Sequence, residues 1–298
     1  MTANSNIKIL FVINPNAGSS NNIDWKENIV EYFTGKEFEL DYFLLPETPD
    51  VVILKEYIMA QMPAKVIAVG GDGTVAMLAN IVAGTSITLG ILPGGSANGM
   101  ARELGIPDSP VEAIKIIVEG SIIECDAIKI NNTTICLHLS DIGLNAQLIK
   151  YFDEGKLRGK WGYARVILKT LWYKEKMQVI IESRGLEIRR NAFMVVLANA
   201  SMYGTGAVIN PHGQLNDGVF EVVIVRRLSI RSLLQMLVKP GPFNTRKIEI
   251  FPSTFVKINT LKKVHFQIDG EYMGKIKNIS AQIIPGNIKL ILPTRKAV

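Results

Sequence analysis

"VIAVGGDGTVAMLAN", residues 66–80, is the stretch on which the fold of this 298-residue chain turns. An apolar run of strand length, residues 66–69, leads into three glycines and an aspartate. A segment with helical spacing follows. A continuous apolar strand is buried on both faces, as in a parallel sheet. The glycine turn then sits at the carboxyl end of that strand, where open α/β sheets hold their ligands. Gly70, Gly71 and Gly73 give up backbone order that a side chain would help keep. Something is therefore expected to come close to that backbone.

Reading outward, the first 120 residues alternate strand-like and helix-like segments. "IKILFVINP" is an apolar run closed by Asn-Pro, and "WKENIVEYFTG" has helical spacing with a glycine stop. "FELDYFLLP" reads as a strand. "DVVILKEYIMAQM" reads as a helix capped by Asp50, against its β-branched start. "ITLGILPGG", "SANGMARELGI" and "SPVEAIKIIVEG" continue the pattern. This predicts a Rossmann-like α/β domain with a parallel sheet over residues 1–120. After Gly120 the texture changes to short strands with turn signals, such as "KMQVIIES", "GVFEVVIVRR" and "KVHFQIDG". Residues 121–298 are expected to form a β-sandwich domain, with room for the last residues to return to the first domain.

Hydrophobic content of 48% and charged content of 20% describe a folded globular protein. No apolar run reaches the ~20 residues of a membrane span. The N-terminus lacks the pattern of a secretory signal, and two cysteines, Cys125 and Cys136, cannot build a disulfide framework. A cytoplasmic chain with reduced thiols is expected. The net charge of +6 favours polyanions or an anionic membrane only weakly. Basic and aromatic residues concentrate in 156–176, with Trp161, Tyr163, Trp172 and Tyr173. That stretch reads either as an ordinary amphipathic helix or as a surface for lipid headgroups. No motif supports nucleic-acid binding.

Three glycine-bearing turns fall at strand ends: "NPNAGSS" from Asn14, "GGDGT" from Gly70, and "PGGSAN", with Gly95 and Ser96. Such turns at helix N-termini offer free N–H groups to phosphate. Thr74 and Ser96 are expected at helix N-caps. No GxxxxGK[ST] loop and no GxGxxG fingerprint is present. Asp72 beside phosphates calls for a cation, most simply Mg²⁺. The second half adds Asp126 in a mostly apolar strand, Asp217 in "QLNDGVFEV", and Asp269 and Glu271 around Gly270 in an expected hairpin turn. Taken singly, each of these acids reads as turn or structural chemistry.

Together, "NPNAG", "GGDGT", "LPGGSANGMARELGIP", "YGTGAVINPHGQLNDG" and "DGE", in this order, resemble the catalytic-domain family shared by diacylglycerol kinases, sphingosine kinases and bacterial lipid kinases. "GGDGT" alone is shared with NAD kinases and phosphofructokinases; the longer motifs are more specific. The resemblance covers nearly the whole chain. It implies ATP and Mg²⁺ in a cleft between two domains and transfer of the γ-phosphoryl group to a lipid hydroxyl. It implies Glu271 as general base, Asp72 as organiser of Mg²⁺ and phosphates, and Asp217 and Asp126 in the metal network. Asn14, Gly70, Gly71, Gly73, Thr74, Gly95 and Ser96 would line the nucleotide. The lipid acceptor implies peripheral contact at the inner membrane face, and a homodimer is compatible with it. The chain departs from the family pattern at Ala76, Met77, Gly99 and Asn145, where polar or acidic residues are usual. These departures bear on the acceptor and on the strength of activity. The alternatives are an NAD kinase, or a relative that binds nucleotide or lipid with little turnover.

Overall fold

A computed structural model describes residues 7–17, 23–154, 175–203, 208–227 and 248–294. The basic and aromatic stretch 156–174, residues 204–207, and residues 229–238, whose spacing reads as a helix, lie outside these described residues. The chain divides into two compact units, Met1–Cys125 together with Gly286–Val298, and Asp126–Pro285.

In the first unit, strands β1 (Ile7–Ile13), β2 (Phe38–Leu44), β3 (Lys65–Gly70) and β4 (Thr88–Pro93) alternate with helices. These are α1 (Trp25–Phe33), α2 (Val51–Gln61), α3 (Asp72–Val82), α4 (Gly99–Glu103) and α5 (Pro110–Glu119). The strands run parallel in the order β2-β1-β3-β4. β4 is buried throughout and β3 at every position after Lys65, which is why both read as unbroken apolar runs. Ile29 and Phe33 of α1, Leu54 and Ile58 of α2, Leu78 of α3 and Ile114 of α5 are buried in this unit's core. Each such side chain contributes about 1.5–3 kcal/mol on burial. The β-branched start of α2 is offset by its cap. The Asp50 carboxylate accepts from the backbone N–H groups of Val52 and Ile53, worth about 1 kcal/mol. Neighbouring β1 on one side is β2, reached first, and on the other is β3. The chain therefore reverses its winding between β1 and β3, and this is the topological switch point.

In the second unit the pairing is antiparallel. The strands are β5 (Ser121–Ile130), β6 (Thr134–Cys136), β7 (Leu139–Gly143), β8 (Met177–Ser183), β9 (Leu186–Ala192), β10 (Met194–Ala198), β11 (Phe220–Val225), β12 (Ile248–Ser253), β13 (Phe255–Ile268) and β14 (Glu271–Leu292). The first residues of β5 and the last of β14 belong to the first unit. There Lys289 and Leu290 lie parallel beside Thr88 and Leu89 of β4. Helix α6 (Leu144–Glu154) follows β7. One sheet reads β12-β11-β10-β7-β13-β14. β13 changes partner along its length. Residues 256–260 pair with β8 and residues 266–268 with β7. β10 and β11 are buried on both faces, one side feeding the cluster around Val195, Leu197, Val222 and Ile224, the other the cluster around Val196, Ala198, Val223 and Val225. No helix among the described residues is long and apolar enough to cross a membrane.

Candidate active site

The three loops expected at one sheet edge follow β1, β3 and β4, which are neighbours in the sheet. The loops touch. The Asn14 side-chain amide donates to Thr74 Oγ1 at 3.3 Å, and the Asn14 backbone N–H donates to the Val69 carbonyl at 2.9 Å. A Cβ added at Gly95 would lie 2.4 Å from Gly71 Cα, and one at Gly94 would lie 3.2 Å from Gly70 Cα. Glycine is therefore required first by loop-on-loop contact of the two backbones. The same absence of side chains leaves the loop surface open to a ligand.

Asp72 joins two of these loops. Its Oδ2 accepts from the Gly99 N–H at 2.9 Å and its Oδ1 from the Met100 N–H at 3.0 Å. It thus satisfies two donors at the start of α4 that no helical carbonyl can reach. Asn98 fixes the turn before α4. It adopts φ of +51°, its Oδ1 accepts from Gly95 N–H at 2.8 Å, and its amide donates to the Gly95 carbonyl at 2.9 Å. Two expectations need correction. Thr74 is not an N-cap: α3 is capped at Gly71, without a side-chain bond, and Thr74 lies buried in its first turn. Ser96 is not an N-cap either, because Asn98 holds that position of α4. Ser96 is exposed and Gly95 is buried, while Gly73 lies in the first turn of α3.

In the second unit, Asp126 is buried. Its Oδ2 accepts from Gly218 N–H at 2.6 Å, and its backbone N–H donates to the Leu215 carbonyl at 2.7 Å. Asp126 and the Asp217 turn are thereby brought together. Asp217 is exposed, and its Oδ1 accepts from Val219 N–H at 3.1 Å, an Asx turn. Nearby Glu221 is buried, and its carboxyl accepts from the Asn210 amide at 2.6 Å. Burial raises the Glu221 pKa, and the Asp217 charge adds to that rise. Among the described residues neither Asp217 nor Glu221 forms an ion pair with lysine or arginine. Likewise, no three His, Cys, Asp or Glu side chains among those residues form a ready metal cluster.

The Asp269-Gly270 turn closes the β13–β14 hairpin, with φ of +48° and +90° and Ile268 opposite Glu271. Both positive φ values mark the tight turn that such dipeptides favour. Asp269 is buried. It accepts from the N–H groups of Leu137, His138 and Leu139 at 2.8–3.1 Å and from the Cys136 thiol at 3.2 Å. Gln267 accepts from Gly270 N–H at 2.8 Å and donates to Asp141 Oδ2 at 2.6 Å. The exposed Glu271 thus starts a strand whose turn is fixed from two sides.

Asp141 gathers the most donors. Its Oδ2 accepts from Asn145, Gln267 and Tyr203, and its Oδ1 from Ala146 N–H. Burial nevertheless raises its pKa from 3.8 to about 6, against those bonds. A raised native pKa means the folded state holds the proton more tightly than the unfolded chain. The stabilisation is complete below about pH 3.8 and is lost as pH rises through about 6. The lost stability is roughly 3 kcal/mol. In urea unfolding, the advantage of the parent over Asp141→Asn should shrink by about that amount between pH 4 and pH 7. An unchanged difference would contradict the buried, proton-holding carboxyl.

Asn98, Asp141 and Gln267 have no assigned role in the sequence reading, and Asp269 appears there only as an acid of the expected hairpin turn. The one usable signal was Asp-Gly before the strand bearing Glu271, which gives the turn but not the buried carboxylate.

A family model for the diacylglycerol kinase catalytic domain matches residues 8–130. One for the YegS C-terminal NAD kinase beta sandwich-like domain matches residues 140–292. The chain is 28% identical over 237 residues to "Probable lipid kinase YegS" of Escherichia fergusonii, covering 77% of this chain and 78% of that one. The proteins of the same name from Escherichia coli SMS-3-5 and Shigella boydii serotype 18 match to the same extent. Among solved structures, a candidate diacylglycerol kinase from Bacillus anthracis str. Sterne aligns with a TM-score of 0.79 at 25% identity, over 96% of this chain and 97% of that one. A second from the same organism, described as a diacylglycerol kinase, has a TM-score of 0.74 at 22% identity over the same shares, a likeness of fold alone. The chain belongs to the family of the YegS-type C-terminal domain, whose model spans half of it, and it carries ahead of that domain a diacylglycerol kinase catalytic domain, the mark of a phosphotransferase.

Proposed function

We propose that this enzyme transfers the γ-phosphoryl group of ATP to a hydroxyl of a lipid such as diacylglycerol, with Mg²⁺ accompanying the nucleotide. The observation that carries this reading is the trio of linked glycine loops at the switch point of a parallel sheet. Such loops suit a polyphosphate because they present backbone dipoles and no bulk. Asn14, Gly70, Gly71, Gly73, Thr74, Gly95 and Ser96 would contact the nucleotide. Asp72, on the nucleotide loops, would organise the ion beside the phosphates, and in the second unit Asp126 and Asp217 would hold an ion through water. The chemistry of these donors fits a hard cation: they are carboxylate oxygens, and Asp217 has no lysine or arginine pair among the described residues. When bound, the ion neutralises phosphate charge.

The protein's own part is positioning and proton removal. Glu271 would take the proton of the acceptor hydroxyl as its oxygen forms a bond to the γ-phosphorus and the bond to the ADP oxygen breaks. Because the acceptor is a lipid, the chain must meet a bilayer, so peripheral membrane contact belongs to the proposal.

The test incubates purified protein with labelled ATP and a lipid extract, with mass identification of the product. Transfer to a lipid is expected. An amide at Asp72→Asn would turn an N–H toward one of the two N–H groups it now accepts from. At least a tenfold fall in kcat, roughly the loss of one to two such bonds, is expected. No transfer to any lipid, with Asp72→Asn behaving as the parent, would overturn the reading.

A further inference from the structure

We propose that residues 261–263 of β13, with the lysine-rimmed hollow beside them, form the surface by which this protein seats on an anionic lipid bilayer. The proposal rests on the peripheral membrane contact argued above, and it locates that contact.

The starting observation is a break in the ladder. Asn259 pairs with Asn278, and the next β13 residue to pair with β14 is Val264, opposite Ile276. The extra residues fall where β13 leaves β8 for β7. Strands that change partner commonly do so through such bulges. This bulge is anchored: Thr260 is buried and its hydroxyl lies 2.8 Å from the Lys262 carbonyl and 3.1 Å from the Lys277 carbonyl. Beyond that anchor the chain carries Leu-Lys-Lys into solvent, and Leu261 is 63% exposed. A strand correction needs extra residues, but it does not need a bare leucine between water and two lysines.

The second observation is the charge around it. Leu261 forms the ridge between two hollows of about 600 and 470 Å³ that share it and Gln178. Among the described residues the larger hollow is rimmed by Lys176, Lys262, Lys263 and Lys275, against one acid, Glu175. All four lysines are exposed. Lys262, Lys263 and Lys275 have no ion pair among the described residues. In the smaller hollow Arg190 and Arg226 are already paired with Glu249. The uncompensated charge therefore lies on the lysine side.

An exposed leucine flanked by unpaired lysines matches the layers of a bilayer surface: anionic headgroups outside and apolar carbon beneath. A duplex nucleic acid would use the lysines but not the leucine. A second copy of this chain would bring the same positive face and be repelled.

The test is co-sedimentation with vesicles of phosphatidylcholine alone and of equimolar phosphatidylcholine and phosphatidylglycerol. The parent should bind the anionic vesicles and much less the neutral ones. Lys262→Gln with Lys263→Gln should weaken binding about thirtyfold, and Leu261→Asn about tenfold. Both variants should keep the parent's thermal midpoint and its phosphate transfer in detergent micelles. As a second readout, Leu261→Cys carrying an environment-sensitive dye should shift to the blue on anionic vesicles, whereas Val52→Cys, exposed on α2, should not. The native Cys125 and Cys136 are buried and do not compete for the dye. A parent that binds while the variants bind equally, with no dye shift at 261, overturns this surface and leaves membrane contact standing. A parent that binds neither vesicle overturns both. Equal affinity for duplex DNA with no dye shift assigns the lysines to polyanion binding and overturns the proposal.

Discussion

Glu271→Gln is expected to lower the rate of phosphate transfer by about 10²–10⁴ at saturating ATP, with little change in the ATP KM. Glutamine keeps the shape of the side chain and loses the ability to take a proton. The site is suited to such a change because Glu271 is exposed at the start of β14, immediately after the Asp-Gly turn. The fold does not rely on its burial, so the thermal midpoint should move by less than about 2 °C. The turn before it is rigid for reasons that do not involve Glu271. Asp269 is held by three backbone N–H groups, and Gln267 holds Gly270 N–H. A fall in kcat without a fall in stability would therefore report loss of a proton acceptor. An unchanged kcat would remove Glu271 from the chemistry and leave the phosphate-binding loops as the surviving part of the proposal. A rise in ATP KM with kcat intact would assign it to nucleotide binding instead.

The first unit was legible because its physics is local in sequence. Strands buried on both faces read as unbroken apolar runs, and glycines mark the ends of β3 and β4. Asp50 announced a helix that the β-branched residues after it disfavoured. The second unit's class was legible from its short strands and turn pairs. What the sequence withheld is the placement of polar atoms across long separations. Gly71 and Gly95 are glycine because two loops, far apart in sequence, touch backbone to backbone. Asp72 reads as a phosphate-side acid, yet both its oxygens also accept from α4, a bond that depends on β3 and β4 lying side by side. Thr74 and Ser96 look like caps by composition. The true starts of α3 and α4 are set by Gly71 and by Asn98 in a left-handed conformation that the sequence does not print. Asp141 shows the same limit. No local pattern says that a carboxylate will be buried with Asn145, Gln267 and Tyr203 around it.

Asp269→Ala should have the largest effect on stability, a loss of about 3–6 kcal/mol in urea unfolding. The carboxylate accepts from three consecutive backbone N–H groups, those of Leu137, His138 and Leu139, and from the Cys136 thiol. Burial raises its pKa, while the same N–H groups pull it down. Alanine would remove the acceptor of these buried donors. It would also place a Cβ residue that dislikes φ of +48° in the turn, adding roughly 1–2 kcal/mol. Two further variants separate these causes. Asp269→Gly removes the carboxylate but tolerates the turn, so it should exceed Asp269→Ala in stability by about that second amount. Asp269→Asn keeps one oxygen and tolerates the left-handed region, but points an amide N–H at a donor, so it should lose about half as much as Ala. The order Asp, Asn, Gly, Ala follows only if the donors dominate and the backbone adds to them. If Ala and Gly are equal, the turn is unstrained. If Asp269→Ala unfolds within about 1 kcal/mol of the parent, the buried carboxylate is not what fixes the hairpin. Activity then distinguishes positioning from folding. In the fraction that remains folded, kcat should fall while ATP affinity holds, because Glu271 is the next residue but one.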